Sequence, residues 1–139
     1  MLETPEHGWS KITIGEWSDR CSYLDDVPFK LLKAIKKLYK EHEPVSISFD
    51  AERWDYIIIF DRFYTHIISD SVDDFGEAAF KYRSIEINKD EIAKELISDI
   101  RKDIDGWSNW LSYWDMSEEM ILGRKNKLLS LCENIEEML

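Results

Sequence analysis

Three apolar runs separated by very short connections constrain this chain more than any other feature. They are VSISFD, DYIIIFD and YTHIIS, at residues 45–50, 55–61 and 64–69. The connections of four and two residues leave no room for a crossover, so neighbouring runs must pair as antiparallel hairpins. The middle run is apolar on both faces, whereas the first run alternates. The sequence therefore predicts a meander in which residues 55–61 form a central strand.

Helices are predicted on both sides of this meander. Residues 28–42 begin with a proline and repeat apolar side chains every three or four positions, and Pro44 prevents the helix from continuing. Asn88, with Glu91 three residues later, resembles a capping box and opens a second helix that we expect to end at Gly106. A short aromatic helix and a longer terminal helix follow. We expect the terminal helix to bury Ile121, Leu128, Leu131, Cys132, Ile135 and Leu139.

Two further strands complete the predicted sheet. Residues 9–17 alternate as a half-buried strand does, and residues 80–87 form another, with a change of phase that predicts a bulge near Ser84. The acidic segment 69–79 is expected to be a mobile loop. The predicted order β-α-β-β-β-β-α-α indicates a single α+β domain over residues 1–139, with a mostly antiparallel sheet and helices packed on it.

The net charge of −11 at pH 7 argues against some classes of partner. Nucleic acids and anionic membranes select basic surfaces, so neither is an expected partner. The charge is also uneven, because residues 28–42 carry five lysines and one glutamate, whereas residues 50–77 carry eight acids and two arginines. The lysines surround the polar side of the predicted helix, which solvation explains. We expect the acidic segment to face a basic protein.

The two cysteines, Cys21 and Cys132, lie far apart and without partners at the spacing of metal ligands. This usage is typical of a reducing compartment, although a bridge between the two remains possible. The chain shows neither an apolar stretch long enough to span a bilayer nor a basic start followed by an apolar run. We therefore expect a cytoplasmic protein.

His66 is the one histidine within the predicted sheet, on the same face as Tyr64 and Ile68. A general base needs an orienting group and a substrate pocket, and no serine or cysteine can be placed beside His66 from the sequence. A structural histidine is therefore favoured, and no catalytic residue is predicted. DSVDD at 70–74 lacks the glycine and distal glutamate of an EF-hand, and EINK at 86–89 has the wrong spacing for a nuclease E-x-K. We expect no metal site and no cofactor.

The six tryptophans exceed what the core of a domain this small normally requires. One helical face is expected to carry a stripe that is more typical of a core than of a ligand platform: Trp107, Trp110, Leu111 and Trp114. Trp54, in contrast, falls in the connection between two predicted strands, where we expect it to be exposed. An exposed tryptophan beside Glu52 and Asp55 has the composition of a binding hot spot with a charged rim.

The segment FDAERWDYIIIFD followed by YTHIIS, with SYLDDVP and a helix before it, resembles the small immunity proteins of bacterial polymorphic-toxin and contact-dependent inhibition systems. The likeness covers roughly residues 9–100 and lies in size, acidity, an exposed tryptophan and a compact α+β layout. It implies a non-enzymatic inhibitor that binds a cognate protein toxin, often a basic nuclease, in the cytoplasm. Such an inhibitor blocks the active site or the substrate channel of the toxin.

On this interpretation, carboxylates steer a basic toxin towards the protein and Trp54 anchors it. The predicted partner-binding residues are Asp50, Glu52, Trp54, Asp55, Asp61, Asp73 and Asp74. A general interaction or regulatory module would share this surface and differ only in its partner. A small enzyme that uses His66 with a nearby carboxylate is a third hypothesis, which predicts a concave pocket. The oligomeric state is not predicted.

Overall fold

The computed structural model describes residues 1–72, 75, 78–111 and 115–139. Within these residues the elements follow the order β-β-α-β-β-β-β-α-α-α, and the fold is α+β. The strands are β1 (Trp9–Ile14), β2 (Trp17–Ser22), β3 (Val45–Asp50), β4 (Asp55–Phe60), β5 (Tyr64–Val72) and β6 (Ala78–Glu86). The helices are α1 (Val27–Glu41), α2 (Lys89–Lys102), α3 (Ile104–Ser108) and α4 (Glu118–Met138).

The first two strands form a separate hairpin, so the single strand predicted over residues 9–17 was wrong. β1 ends at Ile14, and β2 returns antiparallel to it with Ile14 opposite Trp17. Gly15 occupies the turn at a φ of 57°, a conformation that glycine adopts without steric cost. A side chain at Gly15 would also meet Ile85 of β6 at 3.0 Å. The hairpin turn is thus fitted against the inner face of β6.

The larger sheet has four antiparallel strands in the order β3-β4-β5-β6, and β4 is a central strand as predicted. The pairing of β5 with β6 runs without interruption from Tyr64 opposite Glu86 to Val72 opposite Ala78. The bulge predicted near Ser84 is therefore absent from this ladder. The loop predicted over residues 69–79 was also too long, because both of its ends belong to strands.

Helix α1 lies at the centre of the molecule and is buried on more than one side. It contacts β3 and β4 of the four-stranded sheet as well as α2 and α4. Its buried residues include Leu31, Leu32, Ile35, Leu38 and Tyr39, the apolar set that the sequence predicts. Burial from several directions explains why so many of its positions are apolar.

The C-terminal helices begin at side-chain caps. The Asn88 side chain accepts a hydrogen bond from the Asp90 amide at 2.8 Å, as expected of a residue that opens a helix. Gly106 does not end α2, which stops at Lys102. It lies inside α3, where its amide donates to the Asp103 carboxylate at 3.2 Å.

The tryptophans of the predicted stripe are core residues where the structure describes them. Trp107 is fully buried, and Trp110 is buried with its indole N–H donating to the Asp25 carbonyl at 2.7 Å. Trp114 lies outside the described residues. On α4 the buried residues are Leu128, Cys132 and Ile135. Ile121 and Leu131 are half-buried, and Leu139 follows the helix and is 46% exposed, which corrects its predicted burial.

Both cysteines are free and buried, Cys21 on β2 and Cys132 on α4. Burial raises the pKa of the Cys21 thiol to about 12 and that of the Cys132 thiol to about 11. Both side chains therefore behave as small apolar core residues. No helix among the described residues is long and apolar enough to cross a membrane.

Arg124 of α4 joins three parts of the fold. Its side chain is 13% exposed, and its guanidinium donates to both carboxylate oxygens of Asp26, just before α1, at 2.9 and 3.0 Å. It also donates to the Ser108 carbonyl at the end of α3 at 3.1 Å. The same guanidinium lies over the Phe29 ring, 4.9 Å from its centre. A planar fork of donors satisfies all of these partners at once, which a lysine cannot do.

We expect Arg124→Met to lower the free energy of unfolding by about 2–3 kcal/mol, since it leaves a half-buried carboxylate without its charged donors. Arg124→Lys should recover only part of this loss. The matched control is Lys125→Met, which removes an ion pair to Asp105, a residue whose side chain is 79% exposed. The control should change stability by less than about 1 kcal/mol. Equal effects of the two variants in urea unfolding would contradict the assigned role.

Candidate functional site

The four-stranded sheet has an inner face against α1 and an outer face that no described element covers. Side chains alternate between the faces, so Tyr56, Ile58 and Phe60 of β4 are buried while Asp55 and Ile57 are exposed. Strand β5 repeats the pattern, with Ile67 buried and its neighbours facing outward. The outer face therefore presents a regular surface to a partner.

One end of the outer face carries a row of three carboxylates, here called the acidic row: Asp50, Asp55 and Asp70. Asp50 of β3 lies opposite Asp55 of β4, which in turn lies opposite Asp70 of β5. All three residues are exposed, and no ion pair among the described residues neutralises them. Like charges at directly opposite positions destabilise a sheet. The arrangement is thus electrostatically costly to the fold.

Apolar side chains adjoin the acidic row on the same face. In the next cross-strand row, Ile57 of β4 lies opposite Ile68 of β5, which lies opposite Tyr82 of β6. Ile57 is 38% exposed and Tyr82 is 66% exposed. Partly exposed aliphatic and aromatic residues beside uncompensated charge are typical of a protein interface rather than of a solvated face.

His66 lies on this outer face, between two aromatic rings. Its Nδ1 is 2.8 Å from the Tyr82 hydroxyl, and its ring stacks on those of Tyr64 and Tyr82 at centre distances of 6.4 and 6.0 Å. The partner of this histidine is thus a phenol on an open surface. The geometry matches the hydrogen-bonded structural histidine that the sequence analysis favoured.

The other predicted partner-binding residues are scattered. Glu52 is exposed in the β3–β4 turn at a φ of 71°, close to the acidic row, and its amide donates to the Asp50 carboxylate at 2.6 Å. Asp61 lies at the opposite end of the sheet, in a hollow that Arg62 and Lys89 also line. Asp73 and Asp74 lie outside the described residues. The structure therefore brings together Asp50, Glu52 and Asp55, but not Asp61.

Trp54 is half-buried rather than exposed, which corrects its predicted role as a free surface anchor. Its indole N–H donates to the Asp19 carboxylate at 2.9 Å, and the Arg20 guanidinium lies over its ring, 4.5 Å from the centre. Arg20 also donates to the Ala51 carbonyl at 2.9 Å. Strand β2, which the sequence analysis did not find, supplies both partners of Trp54 and holds the β3–β4 turn in place.

A groove of about 630 Å³ lies on the other side of the molecule, between β2 and the inner face of β5 and β6. Trp17, Trp54 and Asp19, whose carboxylate accepts the Trp54 indole N–H, line one side of it, and Lys81 and Arg83 of β6 line the other. Both cations are exposed. Helix α1 packs on β3 and β4, so it leaves the inner face of β6 uncovered at the groove. The groove thus combines aromatic walls with two exposed cations.

The described residues contain no group of three or more His, Cys, Asp or Glu that could hold a metal ion, the acidic row included. A scan against protein-family models gave no match to the chain. Comparisons with curated proteins and with solved structures gave no match either. The assignment of a function therefore depends on the geometry and charge described above.

Sequence reasoning missed Asp70 as a site residue. Its place beside Asp55 depends on the register of β4 against β5, which the composition of either strand does not reveal. A signal was nevertheless present, because Asp55 begins one apolar run of the meander and Asp70 directly follows the next. With hairpin pairing assumed, these two acids fall at the same end of the sheet.

We expect Asp55→Asn to raise the free energy of unfolding by about 0.5–1 kcal/mol, because it removes two cross-strand repulsions at once. The gain should shrink as salt is added, since salt screens exposed charges. Urea unfolding at low and high salt measures both effects.

The matched control for this prediction is Asp61→Asn, which removes one acid from the same sheet at a position beside Arg62 and Lys89. It should leave stability unchanged or lower it slightly. If Asp55→Asn destabilised the protein as much as Asp61→Asn, the three carboxylates would not be repelling one another.

Proposed function

We propose that the protein is an immunity protein of a bacterial toxin system, which binds a basic cognate toxin domain in the cytoplasm and blocks its active site or substrate channel. The observation that carries the proposal is the acidic row on the uncovered outer face of the sheet. It supports binding because the fold keeps three carboxylates together although their repulsion opposes folding. Destabilising features that persist in this way are characteristic of functional sites.

The spacing of the row suits a basic partner. Neighbouring strands lie about 4.8 Å apart, so the three carboxylates form a line of regularly spaced anions. A toxin that acts on nucleic acid carries a basic groove built for such a line. The row can therefore occupy the groove in place of the phosphate backbone, and the net charge of −11 adds long-range attraction.

The apolar residues beside the row can slow dissociation of the complex, which exposed charges do little to affect. Exposed charges mainly raise the association rate, whereas well-packed apolar anchors slow dissociation. Tyr82, Ile57 and Ile68 lie next to the row and present a ring and two aliphatic side chains to a partner. Trp54, half-buried under Arg20, supports this surface by fixing the β3–β4 turn that carries Asp50 and Asp55.

The two alternatives differ in what they require of this surface. A general interaction module would use the same residues with another basic partner, so only the identity of the partner separates it from an immunity protein. A small enzyme would use His66 as a base. His66 faces Tyr82 on an open surface rather than a carboxylate in a pocket, so the geometry favours binding over catalysis.

The proposal predicts that the gene lies directly downstream of a gene for a large secreted protein and that the C-terminal domain of that protein is toxic and basic. Co-expression of this protein should restore growth of cells that produce the toxin domain. The variant Asp50→Asn/Asp55→Asn/Asp70→Asn should bind the domain about 10-fold more weakly or worse at low salt, as loss of steering and of charge-assisted contacts predicts. Calorimetric titration measures this affinity.

The matched control is Glu16→Gln/Glu43→Gln/Glu137→Gln, which removes the same charge from exposed positions elsewhere on the molecule. It should protect cells as the unmodified protein does. Equal weakening by the two triple variants would show that net charge alone acts, not the row. Failure of the unmodified protein to bind or protect would contradict the immunity function itself.

A further inference from the structure

The two edges of the four-stranded sheet differ in their free backbone groups. In an antiparallel ladder the N–H and C=O groups of alternate residues point away from the neighbouring strand. On the β3 edge two of these groups are occupied, because Lys30 donates to the Ser48 carbonyl at 2.7 Å and the Asp50 amide donates to Asp25 at 2.7 Å. Asp25 and Lys30 are themselves paired at 2.6 Å. Another strand is therefore blocked at the Ser48–Asp50 end of the β3 edge.

The β6 edge is open. In the part of the chain that the structure describes, no strand pairs with the far side of β6. The Ile87 amide donates to the Phe63 carbonyl, which fixes the alternation along β6. Counting back from Ile87, the residues whose backbone groups face away from β5 include Tyr82 and Ser84. Exposed edges of this length are sites where another chain can add a strand.

The inner face of β6 determines what kind of strand fits. Lys81 and Arg83 are both exposed on this face and line the groove opposite Trp17. No ion pair among the described residues includes either cation. Alternate side chains of an added strand would lie on the same face, directly beside them. Carboxylates at every second position of the added strand would therefore pair with these two cations.

The same cations disfavour a second copy of β6 as the added strand. With Tyr82 opposite its own symmetry mate, Lys81 would face Arg83 twice. A shift by two residues in either direction places Arg83 opposite Arg83 or Lys81 opposite Lys81. Each of these three registers places like charges opposite one another. Natural sheets use such repulsion to prevent edge-to-edge association.

We propose that the open edge of β6 binds an extended acidic peptide segment of a partner protein as a fifth strand, with its alternate carboxylates on Lys81 and Arg83 in the groove. This site lies on the inner side of the sheet and is separate from the acidic row. It needs no basic partner, so it stands or fails independently of the immunity function.

The probe is a fluorescein-labelled peptide TEVEVEVT, whose carboxylates alternate as the groove requires. Two comparison peptides are TEEEVVVT, which has the same composition in a different order, and TKVKVKVT, which has the opposite charge. Fluorescence polarisation with the full-length protein measures binding. We expect the alternating acidic peptide to bind more tightly than both others. Equal binding of all three, or tighter binding of the lysine peptide, would overturn the proposal.

Two variants separate the side-chain and backbone parts of the interaction. Lys81→Glu/Arg83→Glu should weaken binding about 10-fold or more, as loss of a charged hydrogen-bond partner does. Ser84→Pro removes an outward N–H, which an edge strand tolerates, and should also abolish binding. The matched control for charge is Lys11→Glu/Lys94→Glu, at exposed positions that do not line the groove. It should leave binding unchanged.

Circular dichroism and the melting temperature establish that each variant is folded before binding is compared. Undiminished binding to folded Ser84→Pro would exclude strand addition. Equal loss in the Lys11/Lys94 variant would show that the peptide senses only net charge. Sedimentation of the protein alone provides a third test, because dimerisation that Ser84→Pro abolishes would assign the edge to a second copy and overturn the proposed occupant.

Discussion

The connection between β2 and α1 holds the fold together through two neighbouring carboxylates, Asp25 and Asp26. Asp25 binds Lys30 and the Asp50 amide, which fixes the first turn of α1 against the edge of the sheet. Asp26 binds the Arg124 guanidinium, which fixes α4 and the end of α3. The Asp25 carbonyl also accepts the indole N–H of Trp110. One short connection thereby joins the sheet, the central helix and the C-terminal helices.

The surfaces available for function follow from this arrangement. Because α1 packs against β3 and β4, the inner face of the sheet is covered at that side and part of its β3 edge is occupied. The outer face and the β6 edge remain uncovered by the described residues. Asp25 and Asp26 are thus structural, although both contribute to the net negative charge. The acidic row forms a different set, in which charge is left uncompensated.

Sequence reasoning found the elements whose hydrophobic period is clear. The meander, the central position of β4, α1 and the cap at Asn88 were confirmed because local apolar spacing encodes each of them. Strand β2 has the sequence WSDRCS, which lacks a clear alternation, so the hairpin was missed. The error extended to Trp54, whose burial depends on Asp19 and Arg20 of that strand.

The candidate site was harder to predict than the fold, because it depends on register. On β6 the inner face carries Lys81 and Arg83 beyond the reach of α1, so the apolar pattern no longer reports which face is covered. The change of phase between Tyr82 and Ile85 therefore indicated a bulge where the strand is regular. Asp70 joins the acidic row through the pairing of β5 with β4, whose register no local pattern specifies.

The most direct test of the acidic row is the rate at which the protein associates with the basic toxin domain, measured by stopped-flow fluorescence over a range of salt concentrations. Steering by the acidic row predicts fast association at low salt that slows steeply as salt rises, with the Asp50/Asp55/Asp70 triple asparagine variant slower by about 10-fold or more at low salt and similar at high salt. Identical salt dependence in the variant and in the unmodified protein would contradict it.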